Sequence, residues 1–123
     1  MIQKHADSIV HAWDGLTWSF KTQSNFKIHF LLIFLSILGG FLFKISYVEW
    51  IAVLITTYIG LIIEVINTAI EKMGDAIDLN YNENIKISKD VSAASMLIFS
   101  IGAFAVACLI FLPKIFYFLR SIK

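Results

Sequence analysis

The sequence predicts an all-α membrane protein, with three transmembrane helices behind an N-terminal amphipathic helix lying along the interface. Composition is the first sign. Of 123 positions, 59% are hydrophobic and 15% charged, against roughly 45–50% and 25% in soluble domains. A chain this short cannot hide so much apolar surface, so lipid must be the solvent for much of it. The second sign is three long runs nearly free of charge. The third is a stretch of apolar residues at helical spacing ahead of them. A single cysteine, Cys108, excludes an internal disulfide or a cysteine metal cluster. A net charge of +1 lacks the basic excess that nucleic-acid binding uses, so no nucleic-acid partner is expected.

Residues 1–24 come first. Ile9, Ala12, Trp13, Leu16 and Phe20 recur at helical spacing, while Lys4, Asp7, Asp14, Lys21 and Gln23 fall mainly elsewhere on the wheel. Either the lipid interface or the protein's own spans would cover that apolar face. The first span is placed at 26–45. Its charge-free part, Ile28 to Phe43, is bounded by Lys27 and Lys44. Those sixteen residues cover only about 24 Å of a hydrocarbon core near 30 Å, so the flanking lysines must snorkel.

The second span, 48–72, contains Trp50 to Ile70, interrupted only by Glu64. A polar segment follows at 73–88 and is read as a loop. The third span, 89–113, contains Val91 to Pro113 without a charge, and 114–123 is left as a tail. The N-terminal segment and the long loop share one side and carry six Lys+Arg. The short turn and the tail carry four. That asymmetry places the N-terminus and the long loop in the cytoplasm.

Glu64 is the most informative residue, because an ionisable group inside a span is costly and defaults to a functional reading. With Glu64 at zero and about 100° per residue, Asn67 falls near −60°, Thr68 near +40°, Glu71 near −20° and Asp75 near +20°. One polar stripe therefore climbs from inside the membrane to its mouth, with Glu64 about 10.5 Å deeper than Glu71. Asn and Glu can also join helices by hydrogen bonds in lipid. Two carboxylates with an amide between them, running into a third, exceed that need. Neighbouring carboxylates repel unless a cation or a proton intervenes, and hard divalent cations favour carboxylate oxygens. A magnesium site near the interface follows, with Glu71 its better ligand. Lys89 and Asp90 open the third span at the same level, and beside such a site Lys89 reads as a phosphate contact.

The run Glu64-Val65-Ile66-Asn67-Thr68-Ala69-Ile70-Glu71, followed eighteen residues later by Lys89-Asp90-Val91-Ser92-Ala93-Ala94, closely resembles the small integral-membrane bacterial diacylglycerol kinases and their undecaprenol kinase relatives. Ala12-Trp13-Asp14-Gly15-Leu16 and Asn25-Phe26-Lys27-Ile28-His29 are similar to that family too, and coverage runs from about residue 5 to residue 112. The resemblance implies a homotrimer with active sites shared between neighbours in the bacterial inner membrane. It implies magnesium-dependent transfer of the ATP γ-phosphate to a lipid hydroxyl, diacylglycerol to phosphatidate, with undecaprenol the alternative acceptor. Glu64 would be the general base and, with Ala93, would meet the acceptor. Glu71 would hold magnesium, with Asn67 and Asp75 supporting the metal–nucleotide site and Lys89 and Asp90 engaging the phosphates. Asn80, Tyr81 and Asn82 fall where the family's loop touches nucleotide, and Lys4 and His11 where its N-terminal helix does.

Two departures stand out. Gln23 replaces a second metal-binding glutamate, leaving a carbonyl ligand without charge. Asn80 and Asn82 replace ionisable residues. Two rivals remain: a proton or ion carrier using Glu64, and a catalytically silent membrane oligomer. The carrier would need polar partners at matching depth. The third span offers only serines, and the first offers His29 and Ser36.

Overall fold

The computed structural model describes residues 2–78 and 80–121, the side chains of Ile2 and Lys4 excepted. Four helices follow in order: α1 (Ile2–Thr22), α2 (Asn25–Leu42), α3 (Tyr47–Ile77) and α4 (Glu83–Ser121). No strand occurs among the described residues. Helices α2, α3 and α4 are each long and apolar enough to cross a membrane, because only a helix satisfies every backbone group internally in lipid. Their outward faces carry exposed Phe34, Leu38, Ile55, Ile62, Ile98 and Phe104. In water such a surface would aggregate; facing lipid it needs no cover.

Helix α1 is joined to the bundle at its C-terminal end. Phe20 sets its ring against Phe26 at 4.7 Å and Phe30 at 5.1 Å, and Phe26 is fully buried there. Trp18 lies 5.9 Å beneath the Lys72 ammonium of α3, within range of a cation–π contact. Further back, Ile9, Val10 and Trp13 are exposed.

The α2–α3 connection is tight. Lys44 takes the left-handed conformation at φ 50°. Ile45 N–H then donates to Gly40 O at 3.0 Å and Lys44 N–H to Phe41 O at 3.3 Å, the paired bonds that close a Schellman end. Helix α3 starts on a capping box: Glu49 N–H donates to Ser46 Oγ and Ser46 N–H to the Glu49 carboxylate at 2.6 Å. Lys114 of α4 reaches the same carboxylate at 3.0 Å.

Helices α3 and α4 form the most extensive pairing, and two glycines set their approach. A Cβ on Gly60 would stand 2.6 Å from the Phe99 ring, and one on Gly74 would stand 2.8 Å from Lys89 Cε. Both side chains occupy space that any larger residue would take.

The structure differs from the sequence reading at two places. The 73–88 segment is mostly helical: α3 runs to Ile77 and α4 begins at Glu83, with Asp78 and residues 80–82 described between them. Short polar side chains bond the described backbone there. Asp78 Oδ1 accepts from Asn80 N–H at 2.8 Å, and Asn82 Oδ1 accepts from Asn84 N–H at 3.0 Å as a cap for α4. Likewise 114–121, read as part of a tail, is helical, since α4 continues through Pro113 to Ser121. Beyond the proline, Lys114 holds Glu49 and Phe118 meets Phe43 at 6.1 Å.

Candidate active site

The polar stripe of α3 faces protein. Glu64 is 1% exposed, Asn67 4% and Thr68 3%, whereas Ile62 and Ile66 of the same turns are exposed. Glu71 and Asp75, nearer the end of the helix, are half-buried. Helical periodicity produces this sorting, because residues three and four apart share one face.

Partners change with position along the stripe. Asp75 binds the Lys89 ammonium at 2.5 Å and has Lys72 at 3.5 Å. It lies past the span read from the sequence. The Lys89 hydrogen bond, helped by the charges of both lysines, holds its carboxyl below the ordinary aspartate value against a smaller opposing effect of burial. One turn deeper, Asn67 Nδ2 donates to Glu71 Oε1 at 3.0 Å. That bond leaves Asn67 Oδ1 buried without a hydrogen-bond partner. Deepest is Glu64, whose Oε2 is also buried and unpartnered. Facing it is the His29 imidazole of α2, its Nε2 3.7 Å away.

At the mouth, Asp75, Asp78, Asn80, Tyr81, Asn82, Lys86, Lys89 and Asp90 surround one open concavity of about 270 Å³. Lys89 and Asp90 do not face each other; Asp90 pairs with Lys86 at 2.6 Å, one turn back on α4. Tyr81 is 80% exposed, free to present its ring to a planar ligand. Asn80 and Asn82 also serve as turn and cap residues. Ala93 is exposed on the next turn of α4 and His11 is exposed on α1. Gln23 is half-buried at the α1–α2 junction. The Lys4 side chain lies outside the described residues.

The donor set can be tested against a magnesium ion. Among the described residues, no three His, Cys, Asp or Glu side chains converge closely enough to cage a metal. Magnesium does not ask for that. It keeps several waters and takes one or two carboxylates together with substrate phosphates. Glu71 provides the carboxylate, and the orphaned Asn67 Oδ1 beside it is a hard oxygen in want of a donor or cation. The residues fit.

His29 is the neighbour of the buried carboxyl to which the sequence reading gave no role in the kinase site. Its signal was present: an imidazole two residues inside the Lys27 anchor of an otherwise apolar span. What the sequence did not contain was the rotation of α2 that turns this ring onto Glu64.

Comparison with known proteins identifies the family. The sequence pattern of the family described as prokaryotic diacylglycerol kinase matches residues 10–111. The chain is 32% identical over 108 residues to the undecaprenol kinase of Bacillus subtilis, covering 88% of each protein. It is 31% identical over 109 residues to a diacylglycerol kinase of Synechocystis, covering 88% of this chain and 62% of that relative. A diacylglycerol kinase of Helicobacter pylori is 28% identical over 92 residues, 74% of this chain and 71% of the relative. Carboxylates buried in steps along α3, lysines at its mouth and a family match over most of the length lead to one assignment: the chain belongs to the prokaryotic diacylglycerol kinase family and is a membrane lipid kinase.

Proposed function

We propose that the chain transfers the γ-phosphoryl group of ATP, with magnesium, to the primary hydroxyl of a membrane lipid alcohol at the cytoplasmic surface. The observation that carries this reading is Glu64: a carboxyl 1% exposed, with one oxygen unpartnered, deep in an apolar helix. Such a group gains from a neutral, proton-donating ligand that arrives through lipid. Its depth below Glu71, about 10.5 Å by helix rise, separates the place for a hydroxyl from the place for phosphates.

Each residue has a task. Glu64 accepts the hydroxyl proton as oxygen attacks phosphorus. Glu71, the Asn67 carbonyl and Gln23 would hold magnesium, which when bound neutralises charge on the β- and γ-phosphates. Lys89, released in part from Asp75, and Lys86, released from Asp90, would add positive charge there. Phosphoryl transfer asks for little beyond such positioning and neutralisation. Asn80, Tyr81 and Asn82 would contact the nucleoside. Helix α1, with exposed Ile9, Val10 and Trp13, would rest on the lipid interface, and Lys4 and His11 would approach the nucleotide from it. The reading includes a homotrimer in the inner membrane with α1 and the site facing the cytoplasm, where ATP is.

Diacylglycerol is the first acceptor to test. Undecaprenol is the second, favoured by the similarity to the Bacillus subtilis undecaprenol kinase along 88% of both chains. The purified protein in lipid micelles, given magnesium and labelled ATP, should transfer label to at least one of the two alcohols offered side by side. No labelled lipid from either would overturn the proposal. Crosslinking in the membrane should trap three subunits.

A further inference from the structure

We propose that the end of the bundle carrying the α2–α3 connection binds one anionic phospholipid, its phosphate on Lys44 and Lys114 and its first carbons against Phe43 and Phe118. This site is remote from the polar stripe and stands whether or not the chain is a kinase.

The level of the site in the membrane is the first support. From Lys89 to Lys114 the axis of α4 rises about 38 Å, against a hydrocarbon core near 30 Å and about 40–45 Å with both headgroup regions. With Lys89 at one surface, Lys114 therefore reaches the headgroups of the other. On α2, Lys44 is the first charge after the apolar run Ile28 to Phe43. Both ammoniums thus leave the hydrocarbon at the same end of the bundle, at the depth of lipid phosphates.

Charge is the second support. Lys44, Lys114 and Arg120 stand at this end against one side-chain carboxylate, Glu49. Glu49 is already held by Lys114 at 3.0 Å. Among the described residues no carboxylate pairs with Lys44. An excess of cations favours a ligand of net negative charge, whereas a zwitterionic lipid would bring its own ammonium against them.

Shape is the third. Lys44, Lys114 and Tyr117 line one concavity of about 390 Å³ together with Phe43, Pro113 and Phe118, within the size range of small-ligand sites. Its walls are fixed before any ligand arrives. Lys44 is held at φ 50° by the paired bonds that end α2, and Phe43 meets Phe118 edge-on at 6.1 Å. Little order is then lost on binding. Each ammonium has N–H groups to donate to phosphate oxygens, and the hydroxyl of Tyr117, a residue 78% exposed, can add one more. Rings beside cations suit a phosphate joined to carbon. A free phosphate would gain the charged contacts and leave the rings uncovered.

The probes are dioctanoylphosphatidylglycerol, dioctanoylphosphatidylcholine and inorganic phosphate, each added to the full chain in uncharged detergent. Native mass spectrometry counts the molecules bound per subunit. One phosphatidylglycerol should be retained, and phosphatidylcholine should bind about tenfold more weakly. Lys44→Gln should weaken phosphatidylglycerol binding at least about tenfold, as loss of a hydrogen bond from a charged donor does, while Lys44→Arg should stay within about threefold. Tyr117→Phe should cost about threefold, and Lys21→Gln, on α1, should change nothing. If Lys44→Gln fails to fold, Tyr117→Phe and the comparison of the two lipids decide. Equal binding of the two lipids, or parent affinity in Lys44→Gln, would overturn the proposal. Inorganic phosphate that displaces the lipid at equal concentration would overturn the choice of a lipid as occupant.

Discussion

Glu64→Gln separates chemistry from binding more sharply than any other change. Glutamine has the same shape and an amide that remains satisfiable, so a site 1% exposed to solvent keeps its packing. The variant replaces one polar group by another of equal size, so the fold should not weaken. What disappears is the proton acceptor. A positioned base contributes roughly 10²- to 10⁴-fold, or about 2.7–5.5 kcal/mol of barrier. The nucleotide end of the stripe, about 10.5 Å away along α3, should be undisturbed. The expected result is kcat lower by at least about a hundredfold with KM for ATP unchanged. Labelled phospholipid formed in micelles measures the first, and fluorescent-nucleotide titration the second. Turnover within about threefold of the parent would show that no proton passes through this carboxyl, since a lost base costs far more.

Other outcomes test the metal and the fold. Glu71→Gln should raise the magnesium concentration for half-maximal turnover about tenfold, because an ionised oxygen is replaced by a neutral one; a magnesium titration reads it. Gln23→Glu should lower that concentration, and no change would remove Gln23 from the site. Gly60→Ala places a Cβ 2.6 Å from Phe99 and should destabilise the bundle by about 1–3 kcal/mol, seen as a lower unfolding temperature in detergent. Ser46→Ala removes half of the capping box at the start of α3 and should cost about 1 kcal/mol by the same measurement.

The membrane spans and the stripe were legible because both arise from period and polarity, which a sequence carries directly. Glu64, Asn67 and Thr68 face inward as their spacing required. Helix ends beyond the membrane were less legible. Hydropathy falls at the lipid surface, but hydrogen bonding continues until something caps it. Thus α3 passes Lys72 to reach Ile77, and α4 starts where Asn82 can cap it. The third span was placed to end at Pro113, yet a long helix survives the loss of one N–H when Lys114 and Phe118 anchor the turns after it. For the His29–Glu64 approach the sequence held the imidazole but not its direction. It depends on how α2 is rotated against α3, and an almost uniformly apolar helix has no stripe to fix that angle.

On the proposed function, the partners along α3 would let a single helix serve two reactants of opposite character. At the mouth, carboxylates face permanent cations, Asp75 with Lys89 and Lys72, Asp90 with Lys86. Water there makes two full charges inexpensive to hold, and those lysines can exchange a carboxylate for a phosphate. One step inward the partner of Glu71 is an amide, neutral and able to offer its carbonyl elsewhere. At the deepest step it is an imidazole, which can stand neutral where an ammonium would be costly to bury. Charge on the partner thus falls as water does. On the proposed function, the same gradient would stop a triphosphate and admit an uncharged alcohol, so the two would meet between Glu71 and Glu64.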